Sequence, residues 1–187
     1  MASNNWGKDL DETTDRFINN FGELNLQQLN FRLDINRWSI AQNIAHIMLL
    51  NKSYFQNFEE IENGLQVLPS IDTMDQLVAD SLEVLQPYTR EDRPKKAKTW
   101  DIWQPSGEIY GIKIWNDFTQ HQTEFKLHIK KLESFFFQKT YIKYPGEAEL
   151  YFLLEDCIDF LIEHERRHWQ QAMEVKSVLD KSIKNYQ

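Results

Sequence analysis

Apolar residues recur three and four positions apart over four long stretches of the chain, the spacing that lines one face of an α-helix. The first stretch places Trp6, Leu10, Thr14, Phe17, Phe21 and Leu24 on one stripe. The second begins at Trp38-Ser39-Ile40-Ala41-Gln42, where Ser39 is placed to cap a helix and Gln42 to reach back to it, a capping-box pattern. Its stripe runs through Ile40, Ile44, Ile47, Leu50, Tyr54, Phe58 and Ile61 and stops near Gly64. The third follows Pro105-Ser106-Gly107 and repeats at close to a heptad through Trp115, Phe118, Gln122, Phe125, Ile129, Leu132 and Phe136. The fourth opens after Pro145-Gly146, carries Glu147 and Glu149 in its first turn, where the helix dipole favours acids, and runs towards Leu179.

Between the second and third stretches, Leu65 to Pro105 holds four of the five prolines and so is not one continuous helix. Met74, Leu77, Val78, Leu82 and Leu85 predict a short extra helix inside it. The segment Arg90 to Gln104 mixes basic residues with Trp100 and Trp103 and is expected to drape over the other helices. No alternating strand pattern, internal repeat or low-complexity tract stands out. The expected fold is all-α: a four-helix bundle whose long crossover carries the short extra helix, with a short turn near Tyr144 making the last two helices antiparallel. Residues 1–187 are read as a single domain.

Composition narrows the function. At 187 residues the chain can bury a substantial core, and 41% hydrophobic with 27% charged residues is ordinary for a soluble globular protein. A single cysteine, Cys157, excludes an intramolecular disulfide; it lies on the apolar stripe and reads as core. The formal net charge of -8 argues against nucleic acid, whose binding needs a basic face. The first residues lack a secretory pattern. The longest apolar runs, Ala45 to Leu50 and Leu150 to Leu154, are too short for a membrane span, so the expected setting is cytoplasmic, away from membranes. A small molecule or another protein is the expected partner.

The fourth stretch contains His164-Glu165-Arg166-Arg167-His168. Spacing of i, i+4 puts both imidazoles on one helix face, one turn apart, able to converge on one ion. Extending the stripe Leu150, Leu154, Cys157, Leu161 lands on His164 and His168, then Gln171 and Val175, so the histidines stand where the pattern calls for leucine or valine. An unpaired buried polar group costs roughly 1–3 kcal/mol, a cost that ligation removes. A third ligand is offered by His46, beside the second stripe, or by His121 and His128 at the flank of the third. Flanking positions are usually half-solvated, and periodicity alone leaves this choice open. Glu165 also completes the HExxH signature of zinc proteases. No histidine follows His168, however, and no strand is visible to bind a peptide. A residue next to His164 on a helix also points about 100° away from it, so the protease reading is not favoured.

Leu29-Asn30-Phe31 through Trp38-Ser39-Ile40-Ala41-Gln42-Asn43-Ile44-Ala45-His46, joined to the late His164-x-x-x-His168, resembles the DinB/YfiT-like superfamily over nearly the whole length. The resemblance implies an up-down-down-up four-helix bundle and a three-histidine site for zinc or nickel. Carried over, the metal ligands are His46, His164 and His168, while His121 and His128 match no family ligand. It further implies a metal-dependent enzyme acting on a small molecule, either a thiol S-transferase using a low-molecular-weight thiol or a hydrolase. The reacting group would be a thiolate or hydroxide held on the ion, and a homodimer is expected. Arg90, Arg93, Lys95, Lys96 and Lys98 read as a solvated loop, or else as an attractant for an anionic thiol. Asn43, one turn before His46, is placed to orient a ligand. The alternative is a non-catalytic metal-binding or stress-associated helical protein.

Overall fold

Asn5 accepts a hydrogen bond from the Lys8 backbone and starts α1 (Trp6–Phe21), which buries Trp6, Leu10, Thr13, Phe17 and Phe21. The computed structural model describes residues 5–89, 99–146 and 149–184. A single turn, α2 (Leu26–Leu29), leads to α3 (Ile40–Glu62). There the Ser39–Gln42 capping box forms as expected: Gln42 N donates to Ser39 Oγ and Ser39 N to Gln42 Oε1, both at 3.1 Å. The chain leaves α3 through Gly64, whose φ of 65° is the left-handed conformation that glycine adopts without strain. Next come α4 (Ile71–Thr89), α5 (Ile114–Lys131) and α6 (Leu154–Lys184). Helix α3 packs on α5 and α6, and α1 packs on the same two.

Three expectations are corrected. A small antiparallel hairpin, β1 (Tyr141–Lys143) and β2 (Tyr151–Leu153), precedes α6, with Ile142 opposite Phe152. Pro145-Gly146 is therefore the hairpin connection and not the start of the last helix, whose first-turn acids are Glu155 and Asp156; Glu147 lies outside the described residues. The third helix begins at Ile114, because residues 104–113 are held as a loop. Gln42 Nε2 donates to Ser106 O, and Asn30 exchanges side-chain hydrogen bonds with the Tyr110 backbone. Phe136 lies beyond the end of α5 and still reaches the core, edge-on to Trp6.

Helix α4 does not join the main core. Met74 is buried against Tyr141 and Tyr151, with Leu77 and Val78 beside them, and Ser81 Oγ accepts from Tyr151 N. The basic residues Arg90, Arg93, Lys95, Lys96 and Lys98 lie outside the described residues. Trp100 and Trp103 do not merely drape over the helices. Trp103 is buried in the core and Trp100 packs against it.

The main core is two apolar clusters. One contains Trp6, Leu10, Leu50, Tyr54, Phe58, Phe125, Ile129, Cys157 and Leu161. The other contains Phe17, Phe21, Ile40, Ile44, Ile47, Phe118, Ala172 and Val175. Along α3, α5 and α6 the chain passes from one cluster to the other through buried polar residues: His46 and Asn51, His121 and Gln122, and His164, Glu165 and His168. Thr13 takes the corresponding place on α1, where its hydroxyl donates to Asp9 O. A polar layer thus crosses the molecule between two hydrophobic halves. Buried polar groups are nearly always partnered, so each member of this layer has to be accounted for. Among the described residues no helix is long and apolar enough to cross a membrane.

Candidate metal centre

Three histidines of the layer meet. His46 comes from α3, two turns after its capping box, and His164 and His168 come from successive turns of α6. His164 Nε2 lies 3.1 Å from His46 Nε2 and 3.0 Å from His168 Nε2. All three side chains are buried. Among the described residues this is the one group of three potential ligands whose donor atoms come within 4.8 Å of one another.

The protons on two of these rings follow from their outer partners. His46 Nδ1 lies 2.7 Å from the Trp103 carbonyl oxygen, which only accepts, so Nδ1 carries the hydrogen. His168 Nδ1 lies 2.8 Å from Asn43 Oδ1. The amide orientation of Asn43 is set by its Nδ2, which donates to Ser39 O at 2.9 Å. His168 therefore also donates through Nδ1. Both rings turn an Nε2 lone pair towards His164 Nε2, and a single proton on that nitrogen can satisfy only one of them at a time. Tetrahedral ligation at ~2.0–2.1 Å spaces ligand nitrogens about 3.3 Å apart, a few tenths of an ångström from the separations found. The donor set fits one divalent ion.

The electrostatics agree. Burial, reinforced by Arg167, pulls His46 down to about 4 against the Trp103 hydrogen bond, and burial holds His168 far below the usual histidine range. Neutral imidazoles are the form that ligates. Trp38 covers the cluster, its ring 4.6 Å from His46 and 5.8 Å from His168, centre to centre. A small surface pocket is lined by Arg37, Trp38, Asn43, Gln171, Glu174 and Val175, and so by two residues that contact the cluster, Trp38 and Asn43. The Arg37–Glu174 ion pair at 3.0 Å is part of that lining.

His121 and His128 stand apart from the cluster, but neither is half-solvated as their flanking positions suggest. Both are buried because Phe55 of α3 lies over that flank of α5, its ring stacked on His121 at 5.4 Å and 4.5 Å from His128. Cys157 is buried, and burial pushes its thiol pKa up, in keeping with a core role. Tyr54 is buried beside it. Trp169 is partly buried, with Arg16 over its ring at 5.5 Å.

Sequence reasoning missed Asn51, Gln122 and the Trp103 carbonyl, and noticed Glu165 only as part of the disfavoured protease signature. Glu165 is fully buried, and burial raises its carboxyl to about 7 against the opposing hydrogen bonds from Gln122 and Asn51. The only hint in the sequence was that Asn51 and Gln122 lie on or beside apolar stripes.

His121 gives a pH signature free of the cluster. Burial, with a contribution from Lys52, takes it from 6.5 to about 3. Between those values the unfolded chain binds a proton that the folded chain refuses, so this stability is complete above about pH 7 and is lost as pH falls. From pH 7 to 5 the loss is about 2 kcal/mol. His121→Phe keeps the stack on Phe55 and removes the titration. Urea unfolding at the two pH values should therefore show the unmutated chain losing about 2 kcal/mol more than the variant; equal losses contradict the assignment.

The model of the DinB superfamily matches residues 9–172, whereas no curated protein and no solved structure matches the chain. The match takes in both stretches that supply the cluster, Ser39 to His46 and His164 to His168, and the chain belongs to the DinB superfamily.

Proposed function

We propose that the chain is a metal-dependent enzyme in which His46, His164 and His168 hold one divalent ion, zinc or nickel, inside an up-down-down-up four-helix bundle. The observation that carries this reading is the convergence of the His46 and His168 Nε2 lone pairs, fixed by Trp103 O and Asn43 Oδ1, on the third histidine. Membership of a superfamily of metal-binding helical proteins supports it. Three protein ligands leave a further coordination position, the pattern of catalytic sites. A divalent ion supplies Lewis acidity, which brings the pKa of a water or thiol towards neutrality. The chain's own residues orient the imidazoles, keep them neutral and shield them under Trp38. The reaction we assign is transfer of a low-molecular-weight thiol to a small electrophile or hydrolysis of a small molecule, carried out by a cytoplasmic homodimer. Both Glu165 oxygens are engaged by amides of α3 and α5, which speaks against a protease using it as general base.

The test is plasma mass spectrometry on protein purified without a histidine tag, followed by assays of thiol consumption and hydrolysis. One equivalent of metal with turnover is expected. Substoichiometric metal after zinc and nickel are supplied overturns the reading, and full metal with no turnover leaves a non-catalytic metal-binding protein. Asn43→Ala removes the acceptor behind His168 but leaves the Ser39–Gln42 cap in place. It should weaken metal binding about tenfold to a hundredfold, measured by competition with a chromophoric chelator.

A further inference from the structure

Glu165 is the most deeply buried charged residue of the polar layer, yet it is not part of the histidine cluster. Its Oε1 accepts from Asn51 Nδ2 of α3 and its Oε2 from Gln122 Nε2 of α5, both at 2.7 Å. Asn51 Nδ2 also lies 3.2 Å from His121 Nε2. Asn51 Oδ1, Gln122 Oε1 and His121 Nδ1 have no hydrogen-bond partner among the described residues. Such an arrangement is poorly explained by stability. Replacing buried polar or ionic groups with apolar ones of similar volume is often neutral or stabilising, and the best-attested role of such groups is to set register.

The register at stake is that of α6 on α3. The separation of His164 from His168 is set within one helix, but their approach to His46 depends on how α6 lies along and around α3. The apolar clusters on either side tolerate small slips because hydrophobic side chains repack at modest cost. A hydrogen bond does not, since it weakens steeply with distance and angle. Glu165 follows His164 directly, and Asn51 lies five residues beyond His46 on α3.

We propose that Glu165 is a positioning residue: through Asn51 it locks the register of α6 on α3 and so brings His164 and His168 onto His46, while its Gln122 arm secures α5, which supplies no ligand. This rests on the metal reading above.

The test uses the full chain, stripped of metal and titrated with Co(II), with the visible ligand-field spectrum and urea unfolding recorded on the same samples. Asn51→Ala should weaken Co(II) binding about tenfold or more and alter the spectrum, whereas Gln122→Ala leaves both as in the unmutated chain, although each variant loses its buried hydrogen bond to Glu165 and Asn51→Ala also loses the contact with His121. Glu165→Leu should behave like Asn51→Ala. Glu165→Gln should retain the affinity, because a flip of the Gln122 amide turns its Oε1 towards the new NH2. Equal effects of Asn51→Ala and Gln122→Ala, or unchanged binding in Asn51→Ala, overturn the proposal. So does a Glu165→Gln variant as weak as Glu165→Leu. If Glu165→Leu does not fold, the Asn51 and Gln122 pair decides. An unmutated chain that takes up no Co(II) overturns the metal reading and this inference together; binding without the split overturns this inference alone.

Discussion

Under the proposed ligand set, replacing His164 or His168 by alanine should lower divalent-metal affinity by about two to three orders of magnitude. Zinc sites with four protein ligands bind with roughly 10–16 kcal/mol, or about 2.5–4 kcal/mol per ligand, and each 1.4 kcal/mol is tenfold. His46→Ala should match them, because its Nε2 stands at the same distance from His164 Nε2 as that of His168 to within 0.1 Å. His121→Ala and His128→Ala should leave affinity unchanged, since those rings pack on Phe55 away from the cluster. Thermal unfolding with and without metal gives a second readout. An ion at a hundred times its Kd stabilises the folded state by about 2.7 kcal/mol, a gain that the three cluster variants should lack. A loss in His121→Ala equal to that in His46→Ala contradicts the ligand assignment.

The largest effect on stability is expected at Phe58. It is fully buried in the apolar half that does not contain the three-histidine cluster, stacked on Phe125 with ring centres 6.2 Å apart and in contact with Phe55, Tyr54 and His128. Phe58→Ala removes that contact area and leaves a cavity, costing about 3–5 kcal/mol. Native domains hold only about 5–15 kcal/mol in total, so a substantial shift in the urea midpoint follows. Phe58 lies twelve residues beyond His46 on α3, about 18 Å along the axis. The folded fraction should therefore bind metal as the unmutated chain does. A drop in affinity alongside the lost stability would show that the two apolar halves do not act independently of the layer between them.

Local pattern carried much of the architecture. Ser39 and Gln42 announced the start of α3, Gly64 its end, and the apolar spacing of α5 named core residues from Trp115 to Leu132 that are all buried. The hairpin was invisible because each strand has three residues, too few to show alternation, and because Leu150 and Leu154 stand four apart and imitate a helix turn. His121 and His128 looked half-solvated because a stripe describes one helix and says nothing of the neighbour that covers its flank.

The pairing of His164 with His168 was determined by sequence alone, because an i, i+4 spacing fixes the relation of two side chains on any α-helix. Their place in the interior was legible too, from the apolar stripe they interrupt. His46 was not chosen by periodicity, since its nearness to α6 depends on interhelix packing. Only the tertiary structure decided that Trp103, 57 residues away in sequence, turns a carbonyl oxygen to His46 Nδ1. It likewise placed Asn43 behind His168 and brought Asn51 and Gln122 to either side of Glu165. These are directional contacts between elements distant in the chain. Hydrophobic periodicity records which side of a helix faces inward, but it does not record which polar atom meets which.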